Sequence, residues 1–263
     1  MKTALAGLLA VAVAYVLVAY VVLPLAWDRY EHQPGLAVVP MVTRTAEGIP
    51  GDPLNVGLVG AEEDIVAAMH AAGWEPADPI TLRSSIEIIG SVLLDRPDVH
   101  APVSPLFVQG RRQDLAFEKP VGHSADQRHH VRFWKILENG EEGRPVWLGA
   151  VTFDRGVGVS HRTGEVTHHI APDIDAERNL LIADLAAPGR LSAVYQVTGI
   201  GPTLYGRNGG GDPYHSDGEL TVGRLVAAGQ PAVTTPERLP TPVVIQLKQT
   251  LWPHIAAALA AEQ

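Results

Sequence analysis

Residues 3–26 contain no charged side chain, and only Thr3, Gly7 and Pro24 among them fall outside the hydrophobic set. No other feature constrains the chain as much. At about 1.5 Å of rise per residue, a helix over this stretch reaches roughly 36 Å, enough to cross a hydrocarbon core of about 30 Å with some tilt. The competing reading is a cleaved secretory signal, whose apolar core is only about 7 to 15 residues long and ends in a small-x-small site. Here the run is longer and ends Leu23-Pro24-Leu25-Ala26-Trp27, with no small residue three positions before a cut. The segment is therefore read as an uncleaved, single-pass anchor in the cell membrane, contacting lipid directly. Trp27 and Tyr30, with Asp28 and Arg29 between them, suit the headgroup boundary. Lys2 and the terminal amine precede the span and Arg29 follows it, a bias toward a cytoplasmic amino terminus and a body on the exported side.

The rest of the chain reads as a folded body. Over all 263 residues there are 20 basic and 29 acidic side chains, net −9, and no cysteine. That excludes a disulfide scaffold, a cysteine-ligated metal centre and a thiol nucleophile. A pI of about 5.6, with no long basic stripe, argues against nucleic acid as a partner.

Residues 1–30 are assigned to the anchor and its boundary, and residues 31–50, rich in proline and glycine, to a linker. A strand is expected at 55–60 and a helix at 61–72, with Ile65, Ala68, Met69 and Ala72 on one face and Gly73 to close it. A second helix is expected from Pro79, capped by Asp78, with Leu82, Ile86, Ile89 and Leu93 on one stripe until Pro97 forbids continuation. From residue 104 the texture changes to alternating runs between turn residues, with strands expected at 105–110, 114–119, 129–136, 146–154 and 165–170. A helix follows at 173–187, then strands at 191–200 and 219–226. Helices early and strands late predict an α+β fold, mainly antiparallel sheet with packed helices, over residues 51–230. Residues 231–263 form a proline-rich connector and a carboxy-terminal amphipathic helix. Its apolar stripe is Val244, Leu247, Leu251 and Ile255, it is expected to pack on the body, and Pro253 should kink or break it.

Several separated strings carry a resemblance: GDPLNVGLVG at 51–60, GWEPADPITLRSS at 73–85, PVSPL at 102–106, GRRQDLAFE at 110–118, HHVRFW at 129–134, FDRGVG at 153–158 and THHI at 167–170. Together they resemble the LssY C-terminal domain of bacterial membrane proteins. In longer relatives this domain is joined to multi-pass membrane regions, some similar to lipid phosphatases. The resemblance implies membrane association at the bacterial cell envelope and a fold unit, and assigns no reaction.

Chemistry-bearing residues concentrate in the central sheet. Seven of the eleven histidines lie between His123 and His215. Residues 111–162 hold nine basic and seven acidic side chains, whereas residues 51–110 hold two arginines against nine acids. Alternation places His130, Arg132 and Trp134 on one strand face, opposite His129, Val131 and Phe133. It likewise sets Thr167 and His169 against Val166, His168 and Ile170. The expected site joins His130, His169, His161 and Asp114 as acid–base or ligand groups with Arg111, Arg132 and Arg155 as anion holders, near Asp154. Guanidinium forks match phosphate or carboxylate oxygens, and imidazole transfers protons near neutral pH. Two or three imidazoles with Asp114 or Glu118 could instead hold zinc or a similar metal, so the cofactor stays open. The bland alternative makes His129 and His168 satisfied core histidines and the charges cross-strand pairs. The glycine stretches at 199–202 and 206–212 lack a P-loop lysine and read as turns. The function expected is a membrane-anchored binding or accessory domain for an anionic small molecule or envelope component. The alternative is a hydrolase acting on a phosphorylated or lipid-linked substrate.

Overall fold

Pro24 stands inside the apolar helix yet contributes no amide to its hydrogen-bond ladder. The computed structural model, which describes residues 2–77, 105–122, 127–162, 164 and 166–261, shows how the helix continues past it. Helix α1, Thr3–Asp28, widens into a π turn over Val18–Val22, where the Leu23 amide donates to the Val18 carbonyl. Its side chains are exposed along its length and none of its apolar window is buried against the body. α1 is thus long and apolar enough to span a membrane once.

Just beyond α1 the chain docks. Gln33 adopts a left-handed conformation, φ 58°, and is buried. Its amide nitrogen donates to the Tyr195 hydroxyl (2.9 Å) and to Glu142 Oε2 (2.6 Å), and its carbonyl accepts from the Glu141 amide. Leu36 and Val39 are buried after it, and Thr43 of strand β1 (Val42–Arg44) donates to the Asp52 carbonyl of β2 (Pro50–Pro53). Residues 31–50, expected as a linker, lie here as a strap whose β1 pairs with β2 on one side and with Phe107 of the body on the other.

The body continues through β3 (Val56–Val59), α2 (Glu62–Ala71), β4 (Glu75–Pro76), β5 (Phe107–Val108), β6 (Arg111–Arg112), β7 (Leu115–Pro120), β8 (Arg128–Leu137), β9 (Val146–Val159) and β10 (Val166–Ile170). Then come α3 (Ile174–Ala186), β11 (Leu191–Val197), β12 (Tyr205–Arg207), β13 (Pro213–His215), β14 (Leu220–Leu225), β15 (Glu237–Arg238) and α4 (Val243–Ala261). The helix expected between Pro79 and Pro97 lies outside the described residues.

Nine strands form the main sheet in the order β15-β11-β14-β3-β9-β8-β7-β4, with β10 also pairing β9, and β2-β1-β5-β6 form a smaller one. Pairing is antiparallel except for β14 with β3 and β11 with β15. The fold is the mainly antiparallel α+β arrangement expected. Alternation sorts the two faces of the main sheet. Val131, Phe133, Trp147 and Val151 meet Ile65 and Met69 of α2 and Leu181 and Leu185 of α3 in one core. Trp134, Leu148 and Ala150 point the other way, onto Leu36, Leu54 and Leu106 of the strap and small sheet. Each such fully buried Leu or Phe contributes about 1.5–3 kcal/mol. His130 and Arg132 alternate with Val131 and Phe133, so they lie on the strap side.

α4 packs on the body, as expected, but not by the expected stripe. Trp252 is buried and donates to Asp175 (3.0 Å), while Lys248 pairs with Glu219 and Gln249 with Gln196. Val244, Leu247, Leu251 and Ile255 are exposed. The helix also runs unbroken through Pro253, because Lys248, Gln249 and Trp252 hold the preceding turn and offset the amide lost at the proline.

Candidate functional site

β8 and β9 are the two longest strands, and their antiparallel register sets the site. Arg128 lies opposite Asp154, His130 opposite Thr152 and Arg132 opposite Ala150, while β7 brings Glu118 opposite His130. All the polar members, Glu118, Arg128, His130, Arg132, Thr152 and Asp154, are buried. Arg128 donates to Glu118 Oε2 (2.7 Å) and to Asp154 Oδ2 (3.3 Å). Arg132 donates to Asp52 Oδ2 of β2 (3.2 Å), so the strap closes over this face.

From Asp52 the contacts run outward. Its Oδ1 accepts from Asn208 Nδ2 (3.4 Å), whose Oδ1 accepts from the Asp212 amide (2.9 Å). Asp212 Oδ1 then meets His169 Nδ1 at 2.7 Å and His161 Nε2 at 3.9 Å, while its Oδ2 accepts from the Ile170 amide (3.1 Å). Asp212 is 2% exposed and the His161 side chain 66%, so the network climbs from the sheet interior to solvent. The glycine loop between β12 and β13 carries Asp212 and also receives the His161 amide at the Gly210 carbonyl (2.8 Å).

Burial dominates the electrostatics. It pushes the carboxyls of Asp52 and Asp154 up, against the pull of Arg132 on Asp52 and of His168, Arg128 and Arg132 on Asp154. It holds the His130 imidazole well below its ordinary value, with Arg132, Arg128 and His168 adding in the same direction. His130 is therefore neutral at neutral pH. Both its ring nitrogens, the Thr152 hydroxyl and His168 Nδ1 are buried without a hydrogen-bond partner among the described residues. His130 Nδ1 and His168 Nδ1 face the same oxygen, Asp154 Oδ2, at 4.0 and 3.8 Å. These buried groups call for a partner beyond the described side chains, an ordered water or a ligand, as do His32, Gln113, Arg190, His215 and Glu219 elsewhere in the body.

The expected residues divide between this network and the periphery. His130 and Arg132 lie in its interior, and His161 and His169 meet at its mouth, their ring centroids 5.4 Å apart. Arg111 and Asp114 pair with each other (2.6 Å) and with the Lys135 main chain, about 16 Å along β8 from His130. Arg155 is exposed, and alternation turns it away from Asp154. Arg111, Arg132 and Arg155 are thus not brought together. His129 is a satisfied core histidine, its Nδ1 2.6 Å from Glu177 Oε2, whereas His168 joins the network instead of the core.

Sequence reasoning did not reach Asp52, Arg128, Thr152, Asn208 or Asp212 as site residues. The available signal was Asp212 closing a glycine run that starts at Asn208, since a short acid after a tight turn is well placed to receive imidazoles from a neighbouring hairpin. The family model described as the LssY C-terminus matches residues 36–220. No curated protein and no solved structure matches the chain.

Proposed function

The chain belongs to the LssY C-terminus family, and from that premise we propose that it is a single-pass membrane protein whose body binds an anionic group beside the bilayer, on the exported side. The ligand is a phosphate-bearing lipid headgroup or envelope metabolite. One observation supports a binding role above the rest: the polar network is buried, leaves His130, Thr152 and His168 with orphaned atoms, and reaches solvent at His161. An anionic ligand, with any buried water it keeps, would supply the partners these groups need, since each unpaired buried group costs about 1–3 kcal/mol. The short connection from Asp28 to the buried Gln33 keeps the body close to the membrane surface.

The charge balance shapes the ligand's place. Asp52, Glu118, Asp154 and Asp212 outnumber Arg128 and Arg132 in the network, so an anion seats at the mouth and needs positive charge there. Inorganic phosphate and glycerol phosphate, titrated into the full chain in detergent, test the reading. A melting temperature that rises with ligand supports it, and one unchanged at millimolar concentrations contradicts it.

A second reading, a hydrolase of phosphorylated or lipid-linked substrates, is favoured by the His169–Asp212 contact. A carboxylate at 2.7 Å from an imidazole nitrogen fixes the ring's tautomer and orientation, as a general base requires. Turnover of p-nitrophenyl phosphate that disappears in His169→Ala would support it, and its absence in the intact chain would contradict it.

A further inference from the structure

Asp212 differs from the other buried aspartates. Asp52 pairs with Arg132, Asp64 with Arg144, Asp154 with Arg128, and Asp175 and Asp217 with Arg178. Asp212 has two imidazoles and a backbone amide, and no guanidinium or ammonium among the described residues. A buried carboxylate without a cation is expensive, and imidazoles supply full positive charge only when protonated.

We infer that His161 Nε2, His169 Nδ1 and Asp212 Oδ1 bind a divalent metal ion of the zinc class, an assignment that rests on reading the network as a ligand site. The three donor groups offer atoms that all lie within 4.8 Å of one another. Zinc bonds of about 2.0–2.2 Å to nitrogen and oxygen place tetrahedral donors about 3.3 Å apart. His169 Nδ1 and Asp212 Oδ1, at 2.7 Å, spread slightly to admit the ion. His161 Nε2, at 3.9 Å from the same oxygen, belongs to an exposed side chain that can rotate inward. Two imidazoles and one carboxylate form a donor set suited to zinc, and three protein ligands leave a fourth position open.

The surroundings already orient these ligands. The Ile170 amide holds the second oxygen of Asp212, and Asn208 fixes its backbone. Gly158 admits the His169 ring, since a Cβ there would lie 2.4 Å from Nε2. The Gly210 carbonyl ties the His161 backbone to the loop that carries Asp212, so both hairpins close on one point. A dication here balances Asp212 and supplies the positive charge that an anionic ligand needs at the mouth.

The test uses the full chain in detergent, stripped with EDTA, dialysed against micromolar zinc and assayed for metal content, with cobalt substitution as an optical readout. One ion per chain and cobalt bands of low coordination number are expected. Asp212→Asn and His169→Ala should weaken binding at least tenfold, while His70→Ala on the exposed end of α2 leaves it unchanged. His161→Ala, on the exposed turn, keeps the test decisive should either of the first two variants misfold. Failure of the intact chain to take up zinc, or stoichiometric binding unaffected in all three site variants, overturns the assignment. Inorganic phosphate titrated into stripped and zinc-loaded chain separates the two claims. Phosphate binding by a chain that takes up no zinc removes the metal and leaves the binding reading. Zinc held by these residues without phosphate binding keeps the metal and contradicts that reading.

Discussion

Arg132 Nη1 donates to Asp52 Oδ2 at 3.2 Å, joining β8 to β2 across 80 positions of sequence with both side chains buried. This contact ties the strap to the polar face of the main sheet. Asp52→Ala removes the carboxylate that faces Arg132 and should lower stability by about 3 kcal/mol. Thermal unfolding followed by near-ultraviolet circular dichroism reads the change, and a loss below about 1 kcal/mol would show that the pair does not hold the strap.

Gln33 makes the corresponding connection for the anchor. Gln33→Ala gives up the bonds to Tyr195, Glu142 and Glu141 in a buried position, a loss of about 1–3 kcal/mol. Limited proteolysis after residue 28 should become faster in the variant. Unchanged cleavage would place the junction's rigidity elsewhere.

His130 carries a pH dependence whose sign is fixed. Folding holds its imidazole well below the ordinary value of 6.5 through burial first, then through Arg132, Arg128 and His168. As pH falls below about 6.5 the unfolded chain takes up a proton that the folded chain refuses, so stability falls. Asp52 and Asp154 act in the opposite sense, because their raised carboxyls gain a proton in the folded state first as pH falls. Comparison with His130→Phe isolates the imidazole. Whatever its melting temperature at pH 7.5, the variant should gain on the intact chain steadily toward pH 5. A difference that stays constant with pH would place His130 in a solvated environment.

The docking of α4 separates two sets of side chains. Trp252→Ala should cost about 3 kcal/mol, as it empties a buried position and releases Asp175. Leu247→Ser and Leu251→Ser should change stability by no more than about 0.5 kcal/mol, because both side chains are exposed. The reverse ranking would mean that the helix is rotated on the body.

Periodicity made much of this architecture legible. The span, α2, α3 and the strands from β7 to β11 lie where apolar spacing and the turn residues put them, except that Asp173 caps α3 instead of opening it and β9 runs on to Val159, past its expected end at Asp154. Burial of α4 was the exception, since the apolar stripe of a helix is informative only when its partner is the core, and here Trp252, Lys248 and Gln249 make the contacts. The strap was illegible for a different reason. Prolines and glycines conceal short strands whose pairing partners are supplied by distant segments, as Arg44 opposite Phe107 illustrates. At the site, alternation correctly placed His130 and Arg132 on one face. It could not bring Asp212 to His169, because that contact depends on two hairpins, β9–β10 and β12–β13, meeting in space.

The central claim is that the mouth formed by His161, His169 and Asp212 is the working site of a membrane-anchored domain. Its most direct test is the melting temperature of the zinc-loaded full chain, of His169→Ala and of Asp212→Asn, each with and without inorganic phosphate. The intact chain should gain about 2.7 kcal/mol of stability when phosphate reaches a hundred times its dissociation constant, and the two variants, each measured against its own melting temperature without phosphate, should gain nothing. An equal gain in all three proteins, or none in the intact chain at millimolar phosphate, would contradict the account.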